Sequence, residues 1–216
     1  MPKPTILAIG FDVFPGAPEN PTAWAIRELQ RENWQPVHAR LVTDILPVRY
    51  NAWDDVALPL LQREKPDAVL AFGLSAKTTG FTLESTARNV IAVDRPDFTG
   101  ACSTADCVDE KGPRIYPTSL PFSDIIAALQ QAKLPFVRSD DAGNYLCNML
   151  FYNLMHLAEA LNLKMAGFIH APYLTTQIER LASAGHTIKH GGTLSEQDFL
   201  KGTKLIIETC ARKLAG

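Results

Sequence analysis

The fold is decided by residues 5–10, TILAIG, an unbroken apolar run near the start of the chain. Continuous apolar runs of this kind are typical of strands that are buried on both faces, as in a parallel sheet. Residues 20–22, Asn-Pro-Thr, follow and predict a capped helix with proline in its first turn, ending near residue 32. A buried strand followed by a helix predicts an α/β protein.

The same alternation of strand and helix continues to the end of the chain. Further strands are predicted at residues 36–42, 67–74, 89–94, 135–139 and 166–172. Further helices are predicted at residues 51–64, 120–134 and 143–162, with a final helix that opens at the capping-box pattern of residues 193–196. Residues 95–118 are rich in Pro, Gly, Asp and Thr and predict a long irregular excursion, and such loops are often functional or oligomeric elements.

We therefore expect a single domain over residues 1–216, with a mostly parallel or mixed twisted sheet between two layers of helices. A chain of 216 residues buries roughly 70% of its unfolded surface on folding. It needs neither disulfides nor a structural metal for stability.

Charge and composition exclude several classes of function. The chain has 21 basic and 23 acidic residues, and a net charge of −2 gives no electrostatic reason to expect nucleic acid or an anionic membrane as partner. No stretch approaches the roughly 18 apolar residues of a membrane span, and the first apolar run is too short for a secretory signal. We expect a cytoplasmic protein whose thiols stay reduced. Its four cysteines show no metal-ligand spacing, so no zinc or other metal site is expected.

Cys147 lies in the segment AGNYLCN, residues 142–148. The polar residues 139–141 predict a helix start, so the thiol falls in the first or second turn, where the helix dipole favours a thiolate. A helical face shared with apolar neighbours fits a buried structural cysteine as well; these are Phe151, Leu154 and Ala158. Spacing alone favours the structural interpretation, because cysteine is among the most buried residue types.

His170 ends the apolar run of GFIHAPY, residues 167–173. Ligands of open α/β sheets bind beyond the carboxyl ends of the strands, which is where this imidazole is expected. Considered alone, a core or loop-anchoring histidine is the ordinary interpretation. The other histidines have weaker contexts and are assigned to the surface or to structural roles: His38, His156, His186 and His190.

Glu84 is the best third partner for the thiol and the imidazole. It lies just beyond the strand end at Gly73, in a segment that we interpret as a loop able to turn toward the same crevice. A solvated loop glutamate is the plainer alternative. Three signals that converge on one end of one sheet nevertheless favour a nucleophile, a base and an orienting carboxylate.

Four segments of the sequence resemble the signature regions of the pyroglutamyl peptidase I family (pyrrolidone-carboxylate peptidases). The segments occur in the family's order and at similar spacing between residues 5 and 175; they are GFDVFPGAPENPT, FTLESTARNV, AGNYLCN and GFIHAPY. The resemblance places Cys147, His170 and Glu84 at the positions of the family's catalytic residues. It implies a cytosolic thiol exopeptidase that removes N-terminal pyroglutamate from peptides without a cofactor.

The resemblance also assigns a binding role to Phe11 and Phe14, which are spaced like the two phenylalanines that contact the pyroglutamyl ring in the family. Without the family resemblance, both phenylalanines would be interpreted as ordinary core residues at a strand end. A flat, neutral lactam suits an apolar slot with a few hydrogen bonds.

The sequence departs from the family at three places near the expected pocket. Val13 and Pro15 change the first loop, and proline fixes φ and removes a donor. Residues 74–77, Leu-Ser-Ala-Lys, replace a glutamine-containing, glycine-rich stretch. Arg95 lies in a region of uncertain register, and no role is assigned to it.

Three functional hypotheses follow from these residues. The first is an active pyroglutamyl peptidase, and the second is a related thiol amidase with altered substrate specificity, motivated by residues 74–77. The third is a non-catalytic binding protein on the same fold, which has no need of all three catalytic-type residues. Family members include tetramers and monomers, so the resemblance implies a possible homo-oligomer, a tetramer or a dimer.

Overall fold

A six-stranded mixed sheet forms the centre of the protein, which we describe from a computed structural model covering residues 2–14 and 17–216. The strands are β1 (Thr5–Phe11), β2 (Arg40–Leu46), β3 (Ala68–Leu74), β4 (Phe81–Glu84), β5 (Thr86–Arg88), β6 (Ile115–Pro117), β7 (Phe136–Ser139), β8 (Met165–Ala171), β9 (Tyr173–Leu174) and β10 (Thr193–Leu194). The helices are α1 (Pro21–Arg31), α2 (Leu58–Glu64), α3 (Phe122–Gln131), α4 (Leu146–His156), α5 (Thr175–Ser183) and α6 (Glu196–Ala215), with a π-helical segment at Trp53–Ala57.

The strand order in the main sheet is β2-β1-β3-β8-β4-β7. Strands β2, β1, β3 and β8 are parallel to one another. Strand β4 runs antiparallel to β8, and β7 runs parallel to β4. Two small sheets, β5–β6 and β9–β10, lie outside it. Every residue of β3 and β8 is buried, which explains why these central strands are apolar runs rather than alternating patterns.

The helices cover both faces of the sheet. Helices α1, α3 and α6 pack their apolar residues against one face, and α2 and α4 pack against the other. The expectation of a three-layer α/β fold with a mixed sheet is therefore confirmed. None of the helices in the described part of the chain combines the length and apolarity needed to cross a bilayer.

Several local predictions are correct. The predicted strands at residues 5–10, 67–74, 135–139 and 166–172 correspond to β1, β3, β7 and β8. Asn20 caps α1, its side chain accepting a hydrogen bond from the Thr22 backbone N–H at 3.1 Å, and Pro21 is the first helical residue. The N-cap of the last helix is Ser195, two residues after the start of the capping-box pattern predicted at residues 193–196. Its hydroxyl oxygen accepts a hydrogen bond from the Asp198 backbone N–H at 3.0 Å.

The strand predicted at residues 89–94 is wrong. Among the described residues no strand pairs along this segment. The N–H groups of residues 89, 91 and 92 donate to the separate carbonyls of residues 114, 106 and 144. The Val90 carbonyl accepts from the side-chain amide of Asn148, which also bonds to the backbone of Arg88 at the end of β5. Two short strands precede this position, β5 at Thr86–Arg88 and β4 at Phe81–Glu84, and the sequence predicts a loop at the β4 segment. Helix α5 was not predicted, and β2 begins at Arg40, four residues later than expected.

The helix that carries Cys147 is shorter than predicted. It spans Leu146–His156, so Ala158 lies beyond its end. The predicted capping by residues 139–141 is also wrong, since the N-cap is Tyr145 in an extended conformation and no side chain caps the helix. Cys147 is nevertheless in the first turn, as expected.

Candidate active site

A cleft of about 880 Å³ opens beyond the carboxyl ends of β1, β3 and β8. The five side chains singled out from the sequence all line it: Phe11, Phe14, Glu84, Cys147 and His170. Its position agrees with the rule that open α/β sheets bind ligands at the carboxyl ends of their parallel strands. The structure therefore brings together residues that are widely separated in the chain.

Strand pairing places His170 and Glu84 beside each other. In β8, His170 is paired with Gly73 of β3 on one side and with Thr82 of β4 on the other. Glu84 is two residues beyond Thr82, and alternate side chains of a strand share one face of the sheet. The carboxylate thus reaches the imidazole because β4 is a strand, whereas the sequence predicts a loop at this segment.

The imidazole and the carboxylate are hydrogen-bonded in a nearly dry environment. Nδ1 of His170 lies 2.7 Å from Oε1 of Glu84, and the two residues are only 7% and 2% exposed. The second carboxylate oxygen, Oε2, is buried and has no hydrogen-bond partner among the described residues. With Nδ1 engaged by Glu84, Nε2 is the ring nitrogen left for another group.

The thiol of Cys147 occupies the space above β3 that a side chain at residue 73 would fill. A Cβ atom built on Gly73 would lie 3.2 Å from Sγ of Cys147 and 2.6 Å from Cζ of Phe168. Glycine at this position lets the first turn of α4 approach the sheet. The half-buried thiol is thereby brought beside His170, the register partner of Gly73.

His170 is poised to carry a positive charge. Burial disfavours the charged ring, but hydrogen bonds to Cys147 and Glu84 and the negative charges of these partners outweigh burial and raise the pKa of His170 to about 9. The imidazole is therefore protonated at neutral pH. An imidazolium paired with a thiolate is the reactive form of a nucleophilic cysteine.

The start of α4 supplies free backbone donors next to the thiol. Intrahelical bonding begins with the Met149 N–H, which donates to the Tyr145 carbonyl at 2.9 Å. The preceding N–H groups have no acceptor within the helix, and no side chain caps them. Such groups, together with the helix dipole, stabilise negative charge near the helix start.

One end of the cleft is apolar. Phe11, the last residue of β1, is buried, and its ring centroid lies 6.1 Å from that of Phe168. Phe14 is half-buried, forms a backbone bridge with Ala17, and packs in a cluster that contains Leu74 and Tyr173. Both phenylalanines are thus at the cleft, at the end nearest β1. Pro15, expected to alter this loop, lies outside the described residues.

Residues that the sequence left unassigned also reach the cleft. Arg95 lines it, with its guanidinium carbon 3.8 Å from the centre of the Tyr145 ring. Thr82 and Val137 line it too, because they are successive register partners of His170 on β4 and β7. Sequence patterns cannot reveal these two residues, since their proximity arises only from the pairing of β4 and β7.

The remaining cysteines lie apart from the cleft, as its lining shows. Cys102 is exposed and Cys107 is half-buried. Cys210 is buried in α6, and burial raises the pKa of its thiol to about 12, so it stays protonated. Among the described residues no cluster of His, Cys, Asp and Glu has the arrangement of a metal site.

Comparison with known proteins identifies the family. Residues 4–213 match the model of the pyroglutamyl peptidase family. A pyrrolidone-carboxylate peptidase of Clavibacter michiganensis is 34% identical over 174 residues, covering 81% of each chain, and pyrrolidone-carboxylate peptidase 1 of Ralstonia nicotianae is 32% identical over 97% of this chain and 94% of its own.

Solved structures agree with this assignment. The pyrrolidone carboxyl peptidase of the hyperthermophile Pyrococcus furiosus superimposes with a TM-score of 0.87 at 27% identity, covering 97% of this chain and 99% of the other. The resemblance inferred from four short segments is therefore confirmed over nearly the whole sequence. The chain belongs to the pyroglutamyl peptidase family of cysteine peptidases.

Proposed function

We propose that this protein is an active pyroglutamyl peptidase that removes N-terminal 5-oxoproline from peptides, with Cys147 as nucleophile, His170 as acid and base, and Glu84 as the group that orients His170. The observation that carries the proposal is the buried 2.7 Å hydrogen bond between His170 and Glu84, next to a thiol at a helix start. A binding protein of the same fold does not need this arrangement.

Acylation begins when the Cys147 thiolate attacks the carbonyl carbon between pyroglutamate and the next residue. The C–S bond forms as the carbonyl π electrons move to oxygen, and the N–H groups of the first turn of α4 stabilise the resulting oxyanion. Collapse of this intermediate breaks the C–N bond, and Nε2 of His170 gives its proton to the leaving amine. The products are a thioester and a peptide shortened by one residue.

Deacylation reverses the roles of these groups. A water molecule attacks the thioester while the neutral His170 takes its proton. The C–S bond then breaks, releasing pyroglutamate and regenerating the thiolate–imidazolium pair. These steps use the side chains of the chain and water, so the proposed reaction requires no metal or cofactor.

Glu84 acts through His170. Its carboxylate fixes the tautomer and the orientation of the ring and stabilises the imidazolium that must persist until the leaving amine is protonated. Because the pair is buried, this electrostatic effect is larger than in water.

Phe11 and Phe14 are proposed to bind the pyroglutamyl ring at the apolar end of the cleft. The ring is flat and uncharged, so contact with aromatic side chains favours it over a charged N-terminal residue. A free α-ammonium group placed there loses its hydration without gaining a partner, which disfavours ordinary peptides.

A related thiol amidase with altered specificity is the second candidate. It is favoured by one observation: Leu74, Ser75, Ala76 and Lys77, the segment that departs from the family pattern, line the cleft. Leu74 is buried in the same apolar cluster as Phe14. The departure from the family at Leu74 changes the apolar pocket beside Phe14 and leaves Cys147, His170 and Glu84 in place.

The wider setting of the activity is also part of the proposal. We propose one domain over residues 1–216, supported by helices α1, α2, α3, α4 and α6, which pack on the two faces of a single main sheet. A cytoplasmic location is supported by four cysteines that are all free thiols. A homo-oligomer, dimer or tetramer, is supported by exposed apolar side chains, Phe98 and Ile115 on the excursion and Val93 just before it. Light scattering of the purified protein tests this proposal.

The deciding experiment measures chromophore release from a pyroglutamyl arylamide and from a panel of aminoacyl arylamides. We expect turnover of the pyroglutamyl compound, loss of turnover in Cys147→Ser, and normal turnover in Cys102→Ser, in which an exposed cysteine outside the cleft is changed. Turnover of other acyl arylamides alone selects the thiol amidase. No turnover of any of these substrates contradicts both enzyme hypotheses.

A further inference from the structure

The floor of the cleft is a row of residues that crosses four strands of the sheet. Gly73 of β3 is paired with His170 of β8, His170 with Thr82 of β4, and Thr82 with Val137 of β7. Neighbouring strands lie about 4.8 Å apart, so Val137 is roughly 10 Å from His170 across the sheet. Strand β7 is the edge of the sheet, and the row ends there.

The reacting groups divide this row into two halves. The phenylalanines lie at the β1 end of the cleft, and the Cys147 thiol lies above Gly73. If the pyroglutamyl ring occupies the β1 end, as the proposed function on which this inference rests requires, the leaving amine lies over His170, which protonates it. The rest of the leaving peptide then continues over Thr82 and Val137.

Thr82 offers a hydrogen-bond acceptor along this path. The Thr78 hydroxyl donates to the Gly80 carbonyl at 3.0 Å, and it is also hydrogen-bonded to the Thr82 hydroxyl. Because the one hydroxyl proton of Thr78 is donated to the Gly80 carbonyl, the Thr82 hydroxyl is the donor in the hydrogen bond between the two threonines. The lone pairs of the Thr82 oxygen remain available to a backbone N–H in the cleft.

Val137 provides an apolar contact beyond Thr82. It is one of the few large apolar side chains that are exposed, at 39%, and it lines the cleft. Four bonds of about 1.5 Å each carry the end of a leucine side chain about 5 Å from its own backbone nitrogen, and contact adds about 4 Å. When it points along the row, the side chain of the residue directly after pyroglutamate therefore spans the roughly 10 Å from His170 to Val137. Ser139, on the same face of β7, also lines the cleft and continues this surface along the strand.

We propose that Thr82 and Val137 form the subsite for the leaving peptide, and that Val137 gives the enzyme a preference for an apolar residue directly after pyroglutamate. Thr82 accepts a hydrogen bond from the peptide backbone, and Val137 packs against the side chain. The preference is moderate because Val137 forms an open surface and not an enclosed pocket.

The test compares kcat/KM for three substrates: pyroglutamyl amide, pyroglutamyl-leucine amide and pyroglutamyl-aspartate amide. The first releases ammonia and cannot touch Val137, so it serves as the internal reference. Relative to this reference, we expect the unmodified enzyme to favour leucine over aspartate by about tenfold, the low end of the gain from one methylene group in an apolar pocket.

Val137→Lys is the test variant. We expect it to fold, because lysine is common on edge strands and Val137 is partly exposed. We expect the leucine-to-reference ratio to fall about tenfold and the aspartate-to-reference ratio to rise, since the ammonium attracts the carboxylate. The matched control is Val37→Lys, a valine that is 66% exposed and lies outside the cleft, and it should keep the ratios of the unmodified enzyme.

Ratios in Val137→Lys that equal those of the unmodified enzyme overturn the subsite, and so does an equal loss on all three substrates, which indicates a structural effect. Both results leave the peptidase activity intact in the unmodified enzyme and therefore contradict this inference alone. Failure of the unmodified enzyme to hydrolyse any pyroglutamyl compound overturns the proposed function and the inference with it.

Discussion

Oε1 of Glu84 lies 2.7 Å from Nδ1 of His170, and neither residue is more than 7% exposed. This pair connects β4 to β8 inside the sheet and holds the imidazole on the side of the Cys147 thiol. The other carboxylate oxygen has no partner among the described residues, so the His170 ring is the group that compensates this buried charge. The catalytic account depends on this relationship.

Glu84→Gln keeps the shape of the side chain and removes its charge. Because Cys147 and Glu84 raise the pKa of His170 to about 9, the imidazolium is present below that pH and is lost as the pH rises through it. We expect kcat/KM to fall on the alkaline side near pH 9 in the unmodified enzyme. In Glu84→Gln this decline should move to lower pH, and activity at neutral pH should fall by about 10²- to 10⁴-fold.

The control for this prediction is Glu179→Gln, in which an exposed glutamate of α5 is changed. Its pH profile should match that of the unmodified enzyme. If Glu84→Gln keeps the same alkaline decline, the carboxylate does not set the protonation state of His170.

Phe14→Ala should weaken substrate binding more than it slows the chemistry. Phe14 is half-buried at the apolar end of the cleft, so its loss removes contact area from the site proposed for the pyroglutamyl ring. We expect KM for a pyroglutamyl arylamide to rise by about tenfold, with a smaller change in kcat. A Phe14→Ala enzyme with the original KM would show that the ring binds elsewhere.

Phe11→Ala provides the contrast, because Phe11 is buried against Phe168. In addition to a higher KM, we expect a loss of about 3–5 kcal/mol in the free energy of unfolding, measured by urea denaturation. Phe14→Ala should lose clearly less stability.

Gly73→Ala should displace the thiol. The added Cβ would lie 2.6 Å from the Phe168 ring, which is fully buried and has no room to retreat, and 3.2 Å from Sγ of Cys147. We expect kcat to fall about a hundredfold from misplacement of the nucleophile, and stability to fall by about 1–3 kcal/mol from overpacking.

Gly100→Ala is the matched control for this change. Gly100 has a φ of 85° and no atoms within 4 Å of an added Cβ, so it reports the effect of a new methyl group at a strained exposed site. It should lose some stability and keep its kcat. Equal activity in Gly73→Ala and the unmodified enzyme would contradict the proposed position of the thiol.

The sequence alone predicts those parts of the fold that are encoded locally. The apolar runs of β1, β3 and β8 and the Asn20 cap of α1 are examples, and each depends on neighbouring residues. The three catalytic candidates were also found from the sequence, because each lies in a segment that resembles the family.

Features that arise from long-range pairing could not be predicted in this way. Strand β4 has only four residues and is defined by its pairing with β7 and β8. For the same reason Thr82 and Val137 could not be recognised as neighbours of His170. The false strand at residues 89–94 has an apolar pattern, but its N–H groups donate to carbonyls of separate segments and not to one neighbouring strand.

The most direct test of the central claim is affinity labelling with a pyroglutamyl chloromethyl ketone, followed by mass spectrometry of the digested protein. The ketone carbonyl of the reagent lies where the scissile carbonyl would lie, and its chloromethyl carbon takes the place of the leaving nitrogen. The catalytic thiolate forms a C–S bond to this carbon and expels chloride. We predict one label per chain, on Cys147, with activity lost in proportion to labelling, while exposed Cys102 and buried Cys210 stay unmodified. Inactivation accompanied by a label on any residue other than Cys147 would contradict the account.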